Sequence, residues 1–279
     1  MDWRAQIEDA SKRISPFVRK TPVEPATNLG PLVWFKCENL QATGSFKVRG
    51  GTNALLRLSP DQKAKGVVTA SSGNHGLGIA RAAHKLSIPA TVFVPNHADP
   101  SKIRSIQALG VNVERVGDDC VETEKYARVM ATGKGQTYIS PYNDPHIVAG
   151  QGTIAVELME QIPHLDAVFL SIGGGGLISG VGAYIKARNP RVKIIGCSPA
   201  ASPAMHACLE AGKIINVPCR DTLSDATAGG VEPGSITFGL CQQVVDESIL
   251  VGEAEIATAV REVIGHQHML VEGAAGVAV

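Results

Sequence analysis

Neither sign of charge is in excess: 26 Lys and Arg balance 26 Asp and Glu over 279 residues, a formal net charge of +0. The chain lacks the electrostatic footprint of a nucleic-acid binder, so no nucleic-acid partner is expected. Long apolar runs are missing too. No stretch approaches the roughly 20 residues a bilayer span needs, and Met1-Asp2-Trp3-Arg4 opens without the apolar core of an export signal. No membrane partner and a cytoplasmic location are the expectation. The six cysteines (Cys37, Cys120, Cys197, Cys208, Cys219 and Cys241) form no CxxC pair. A chain this long needs no disulfide stapling, so reduced and mostly buried thiols are expected. Repeats, low-complexity tracts and long linkers are absent as well. Any division into domains must therefore arise from chain topology, not from a visible hinge.

What is present is ordinary globular material, 44% hydrophobic and 19% charged, enough for one large or two ordinary domains. Its middle alternates short β-branched runs with amphipathic segments. Val67-Val68-Thr69-Ala70 precedes a helical stretch in which Leu77, Ala80, Ala83 and Leu86 recur, and Ala90 to Val94 forms the next strand. Asp99-Pro100 reads as a helix cap followed by proline at the first helical position, with Gly110 at the stop. Strand 111–116, a charged helix over 119–131 and a helix over 147–162 follow. The nearly all-apolar strand 167–172 suits a parallel sheet covered on both faces. A helix over 177–188 and a strand over 192–197 complete the pattern. Strand-helix alternation of this kind predicts an open α/β fold, with ligands at strand carboxyl ends.

Three loops stand out. Gly44-Ser45-Phe46-Lys47-Val48-Arg49-Gly50 follows the strand-like 32–36 and opens a helix. A lysine there opposes the helix dipole, which prefers anions. An exposed helical lysine is the ordinary reading, and a Schiff-base lysine would need partial burial to depress its pKa. Ala70-Ser71-Ser72-Gly73-Asn74-His75-Gly76 lies between strand and helix. Its hydroxyls, amide and helix-start N–H groups make a carboxylate or phosphate cradle, although a capped helix start would also explain it. His75 is open to two readings, general base or hydrogen-bonding loop residue. Gly173-Gly174-Gly175-Gly176 gives a row of N–H donors between a buried strand and a helix. It fits neither GxxxxGK[ST] nor GxGxxG. His266 and His268 lack a third ligand for zinc, and Ser72 lies in no GxSxG hydrolase turn.

In their order, these loops resemble the fold-type II pyridoxal-phosphate (PLP) enzymes, specifically the serine/threonine dehydratase and serine racemase family. Lys36-Cys37-Glu38-Asn39-Leu40-Gln41, Ala149-Gly150-Gln151-Gly152-Thr153 and the late Val271-Glu272-Gly273-Ala274-Ala275-Gly276 add to the match, which covers nearly the whole chain. The resemblance implies two open, twisted, mostly parallel sheets flanked by helices, with the cofactor in the interdomain cleft. Residues 1–62 and 144–279 would form the large PLP-binding domain and 63–143 the small one. It implies Lys47 as Schiff-base lysine and Phe46 beside the ring. Asn74 would bond the ring hydroxyl, Gly173, Gly174, Gly175 and Gly176 would hold the phosphate, and Glu272 would sit near the ring. Ser71, Ser72, Gly73, Asn74 and His75 would line the substrate-carboxylate pocket, with Ser72 also a catalytic acid/base on the face opposite Lys47. The implied reaction is loss of water from a small β-hydroxy amino acid such as L-threonine or L-serine. Lys47 would take the α-proton, and the products would be a 2-keto acid and ammonia. A homodimer is implied as well.

Some features depart from the family pattern. The racemase-like members hold a divalent cation through carboxylates in the segment matching Cys197-Ser198-Pro199-Ala200-Ala201-Ser202-Pro203-Ala204, which here has none, so no metal is expected. Asp225-Ala226-Thr227-Ala228-Gly229-Gly230-Val231 looks closer to hydroxyectoine-utilisation and phenylserine dehydratases, leaving the substrate open. Val279 falls where the family continues with a helix and a strand carrying a hydroxyl or thiol near the pyridine nitrogen. A C-terminally truncated form without a regulatory domain is the expectation. An amino-acid racemase and a catalytically silent PLP-binding protein are the alternatives.

Overall fold

The computed structural model describes residues 1–279. It opens with α1 (Trp3–Ile14), the strands β1 (Val23–Pro25) and β2 (Trp34–Lys36), α2 (Lys47–Leu56) and α3 (Pro60–Lys65). Then come β3 (Val67–Ala70), α4 (Asn74–Leu86), β4 (Ala90–Val94), α5 (Pro100–Gln107), β5 (Asn112–Arg115), α6 (Cys120–Lys134) and β6 (Thr137–Tyr138). The remainder is α7 (Pro145–Gln161), β7 (Ala167–Ser171), α8 (Gly176–Arg188), β8 (Lys193–Pro199), α9 (Ala204–Ala211), α10 (Ile236–Val244), β9 (Glu247–Val251), α11 (Glu253–Gln267) and α12 (Gly273–Gly276). Local chemistry sets many of these boundaries. Ser59 and Gln62 form a reciprocal capping box with Pro60 at the first helical position of α3. The Asp99 carboxylate accepts from the Ser101 N–H at 2.6 Å and the Asp119 carboxylate from the Glu122 N–H at 2.8 Å, which starts α5 and α6.

Packing divides the chain into two units. The lysine unit holds Asp9–Lys20 and Leu40–Gly150; the glycine-row unit holds Met1–Glu8, Thr21–Asn39 and Gln151–Val279. The lysine unit is built on a parallel sheet of order β5-β4-β3-β6. Successive side chains serve opposite faces, as the period-2 geometry of a strand requires. Val67 joins Leu55, Ile79, Ala83 and Ile147 on one face, and Val68 joins Phe93, Ala127 and Ala131 on the other. Beyond the expected 63–143, this unit includes α2, because glycines let α2 lie directly on α4. A Cβ on Gly51 would sit 3.1 Å from Ile79 Cδ1, and one on Gly78 would sit 3.0 Å from the Lys47 carbonyl carbon.

The glycine-row unit carries the parallel sheet β7-β8-β9 and the antiparallel pair β1-β2. Gly182 on α8 has no room for a side chain, since a Cβ would meet Val244 of α10 at 2.7 Å. Lys36 of β2 is buried against Glu157 at 2.5 Å and also donates to Gln161 and to the Thr21 carbonyl. Strand β7 departs from the expectation of two covered faces: Phe169 is 51% exposed. The apolar run is real, but only the Leu170 face of β7 is closed over; the face that carries Phe169 is left open. Phe169 instead lines an apolar hollow of about 630 Å³ with Leu250, Val251, Thr258 and Val277. That hollow lacks the converging polar donors of an amino-acid site.

Candidate active site

In the lysine unit, Lys47 is the first residue of α2, and its backbone N–H donates to the Ser45 hydroxyl at 3.4 Å. Its Nζ lies 5.4 Å from the centre of the Phe46 ring and donates to the Pro141 carbonyl at 3.1 Å. Removal from water disfavours the ammonium and pulls the Lys47 pKa down to about 8. No carboxylate offsets that pull, so burial alone sets its direction.

The Ser-Ser-Gly-Asn-His loop leaves β3 and enters α4 beside this amine. The Ser71 N–H continues the sheet by donating to the Phe93 carbonyl at 3.0 Å, and the Ser71 hydroxyl accepts from the Gly73 N–H at 3.2 Å. Gly76 is required by close approach: a Cβ there would lie 2.1 Å from the Ser71 carbonyl oxygen. Ser72 and Asn74 are half-buried. His75 is 3% exposed, and its Nε2–H donates to the Ile139 carbonyl at 3.3 Å. Burial first and the Lys47 charge second push its pKa down to about 3. Of the two readings open for His75, this geometry fits the hydrogen-bonding one; the ring is neutral at neutral pH.

In the glycine-row unit, β7 ends at Ser171 and α8 begins at Gly176, so Gly173 to Gly175 lie in the turn between them and Gly176 opens the helix. Ile172 N–H donates to the Cys197 carbonyl at 2.8 Å, and the Thr237 hydroxyl donates to the Gly174 carbonyl at 2.6 Å. A Cβ on Gly173 would sit 3.0 Å from the Thr227 backbone; one on Gly175, at φ +83°, would sit 2.9 Å from Cys241 Sγ. The Gly174 and Gly175 carbonyls are thus tied down, the latter by the Ser179 N–H, while the N–H groups of Gly173 to Gly176 find no acceptor within the chain. The late Glu272 segment belongs to the same unit. Glu272 is exposed and precedes α12, and the Ala274 carbonyl accepts from the Ser171 hydroxyl at the mouth of the glycine row.

These features fit a PLP-sized anion and an amine-reactive carbonyl. A dianionic phosphate needs a row of free N–H donors with backbone access, and the glycine row is that. A carbonyl needs an amine that is neutral part of the time, and the half-buried Lys47, its pKa pulled down to about 8, is that. Within the Ser-Ser-Gly-Asn-His loop, the buried His75 Nδ1 has no hydrogen-bond partner. Sequence reasoning missed Pro141, Thr227 and Thr237, which hold Lys47 and the glycines; each lies more than 50 residues from its partner, and no local signal marks it. His266 Nε2 lies 3.0 Å from a Glu262 carboxylate oxygen, and His268 ends α11 in the left-handed region.

A family model described as pyridoxal-phosphate dependent enzyme matches residues 14–279. The chain belongs to that family. It is 40% identical over 277 residues to an L-threonine ammonia-lyase of Thermotoga maritima, covering 98% of this chain and 69% of that protein. Among solved structures, maize serine racemase matches at TM-score 0.94 and 33% identity, over 98% of this chain and 84% of the other. The processed form of threonine deaminase isoform 2 from Solanum lycopersicum also matches at TM-score 0.94 and 33% identity, over 99% and 81%. The α/β architecture with parallel sheets is therefore that of the fold-type II PLP enzymes, and the cofactor of the family is PLP.

Proposed function

We propose that this chain is a PLP-dependent ammonia-lyase. It eliminates water from a small β-hydroxy amino acid, L-threonine or L-serine, and yields a 2-keto acid and ammonia. The observation that carries the reading is the Lys47 amine, withdrawn from water at a helix start, in a chain similar to an L-threonine ammonia-lyase over nearly its whole length. When bound, PLP links to an amine through its aldehyde and draws electrons away from the substrate α-carbon. Lys47 would hold the cofactor through its amine and would accept the α-proton. With its pKa at about 8, roughly one amine in ten is neutral at pH 7, against about one in three thousand at the ordinary value.

Gly173, Gly174, Gly175 and Gly176 would hold the phosphate through backbone N–H groups, and Phe46 and Glu272 would lie near the ring. Asn74 would donate to the ring hydroxyl. Ser71, Ser72, Gly73, Asn74 and His75 orient the substrate carboxylate through loop N–H groups and hydroxyls. His75 is not the proton source for the departing hydroxyl, because at a pKa of about 3 its imidazolium is scarce at neutral pH. The reading carries with it a cytoplasmic homodimer, which light scattering at twice 29.2 kDa would support. No helix is long and apolar enough to cross a membrane.

A second reading, amino-acid racemase, is favoured by Ser72, a hydroxyl in the carboxylate loop of a chain similar to maize serine racemase. One experiment separates them. Purified protein with PLP is incubated with L-threonine and L-serine, and keto acid and enantiomer are assayed. Keto acid from either substrate supports the lyase and inverted amino acid without keto acid the racemase; neither product, with bound cofactor, overturns both.

A further inference from the structure

The amine of Lys47 rests on a carbonyl that other side chains hold in place. Beyond β6, the Ile139 N–H donates to the Val68 carbonyl at 2.8 Å, continuing the ladder by one residue. The Ile139 carbonyl then turns inward and accepts two donors, the Thr69 hydroxyl at 2.8 Å and His75 Nε2–H at 3.3 Å. Both donors are buried, at 0% and 3% exposure. Two residues on, the Pro141 carbonyl accepts from Lys47 Nζ. The chain after it is tied as well, with the Ser140 hydroxyl accepting from Asn143 N–H at 3.0 Å and the Asp144 carboxylate from His146 N–H at 2.6 Å. A carbonyl with both lone pairs filled by buried donors cannot rotate without leaving one of them unmet. His75 keeps its place although its Nδ1 goes without a partner, a cost that an apolar residue would avoid.

We infer that Thr69 and His75 are positioning residues for Lys47: by jointly fixing the Ile139 carbonyl, they set the Pro141 carbonyl against which the lysine amine is aimed. This rests on the reading of Lys47 as the PLP-binding amine. The brace acts through backbone, so it needs no contact of either side chain with cofactor or substrate to control the lysine. Thr69 lies on the strand that leads into the Ser-Ser-Gly-Asn-His loop, and His75 lies at its far end. The same pair therefore ties the direction of the amine to the loop proposed for the carboxylate.

The test uses the full chain freed of cofactor. Two rates are measured: acylation of Lys47 by a small amine reagent, mapped by mass spectrometry, and uptake of added PLP, followed by absorbance. Thr69→Val keeps the shape and removes the donor. An amine that has lost its carbonyl is more often neutral but poorly aimed, so acylation rises while PLP uptake falls, each by about fivefold. Thr69→Ser, which returns the hydroxyl, restores both rates. Should Thr69→Val not fold, His75→Phe removes the second donor and His75→Gln returns one. Wild-type rates in the donor-free variant, or no rescue by the donor-bearing one, overturn the brace. Borohydride reduction of the wild-type holoprotein decides the underlying reading separately. Cofactor on another lysine overturns that reading, whereas cofactor on Lys47 with unaltered Thr69→Val rates overturns the brace alone.

Discussion

Replacing Gly78 with alanine sets two effects of known sign against each other at the backbone of Lys47. Inside a helix such as α4, alanine is better than glycine by about 1 kcal/mol, because glycine loses more backbone entropy. At this position, however, the new methyl would lie 3.0 Å from both the Lys47 carbonyl carbon and the Val48 nitrogen. That is tighter than ordinary contact, and the obstacle is backbone, which cannot swing aside as a side chain would. Overpacking of this kind costs about 1–3 kcal/mol, so the net change is a destabilisation of about 0–2 kcal/mol. The larger effect falls on the chemistry. Relief requires the start of α2 to shift by a few tenths of an ångström, carrying the lysine with it. Since a misplacement of about 1 Å can cost about a hundredfold, roughly threefold to tenfold in kcat is expected, with KM little changed. The assay is keto-acid release beside a denaturant melt. Gly133→Ala on α6 is the control, as nothing lies within 4 Å of its new methyl; it gains stability and leaves kcat alone. If Gly78→Ala behaves like that control, the account of close α2–α4 packing under Lys47 is wrong.

Three further predictions follow from the same geometry. The depressed His75 pKa of about 3 means that its stabilising contribution is full above the unfolded value near 6.5 and is lost as pH falls toward 3. Over that window wild-type stability should fall by up to about 1.4 kcal/mol per pH unit more than in His75→Gln, measured by urea midpoints; parallel curves refute it. Glu157→Ala leaves Lys36 buried without its anion and should cost about 3–5 kcal/mol, most of it recovered in the double variant Lys36→Met/Glu157→Leu. No recovery in the double variant would show that packing, not charge, is at stake. Gly175→Ala meets both a positive φ of +83° and Cys241 Sγ at 2.9 Å. PLP affinity should fall at least tenfold by equilibrium dialysis, while the Lys47 acylation rate of cofactor-free protein stays unchanged.

Much of this protein is determined by its sequence alone, because the signals are local. Alternating valines at 67 and 68, the Asp99-Pro100 cap and the stop at Gly110 depend on near neighbours, and the elements form where those residues require. The order of the lysine, Ser-Ser-Gly-Asn-His and glycine loops likewise carried the family resemblance without coordinates. Partners distant in the chain were beyond reach. Phe169 reads as core by composition, yet it is half exposed because the sheet face it points from is left open, which no local pattern encodes. Gly76 looks like a flexible loop glycine, and only the fold brings the Ser71 carbonyl where a side chain would strike it. Lys47 at a helix start is ordinarily an exposed, fully charged residue. Its tertiary setting decides otherwise, since partial burial in the lysine unit strips water that stabilises its charge and the Pro141 carbonyl, 94 residues along the chain, gives the amine its direction.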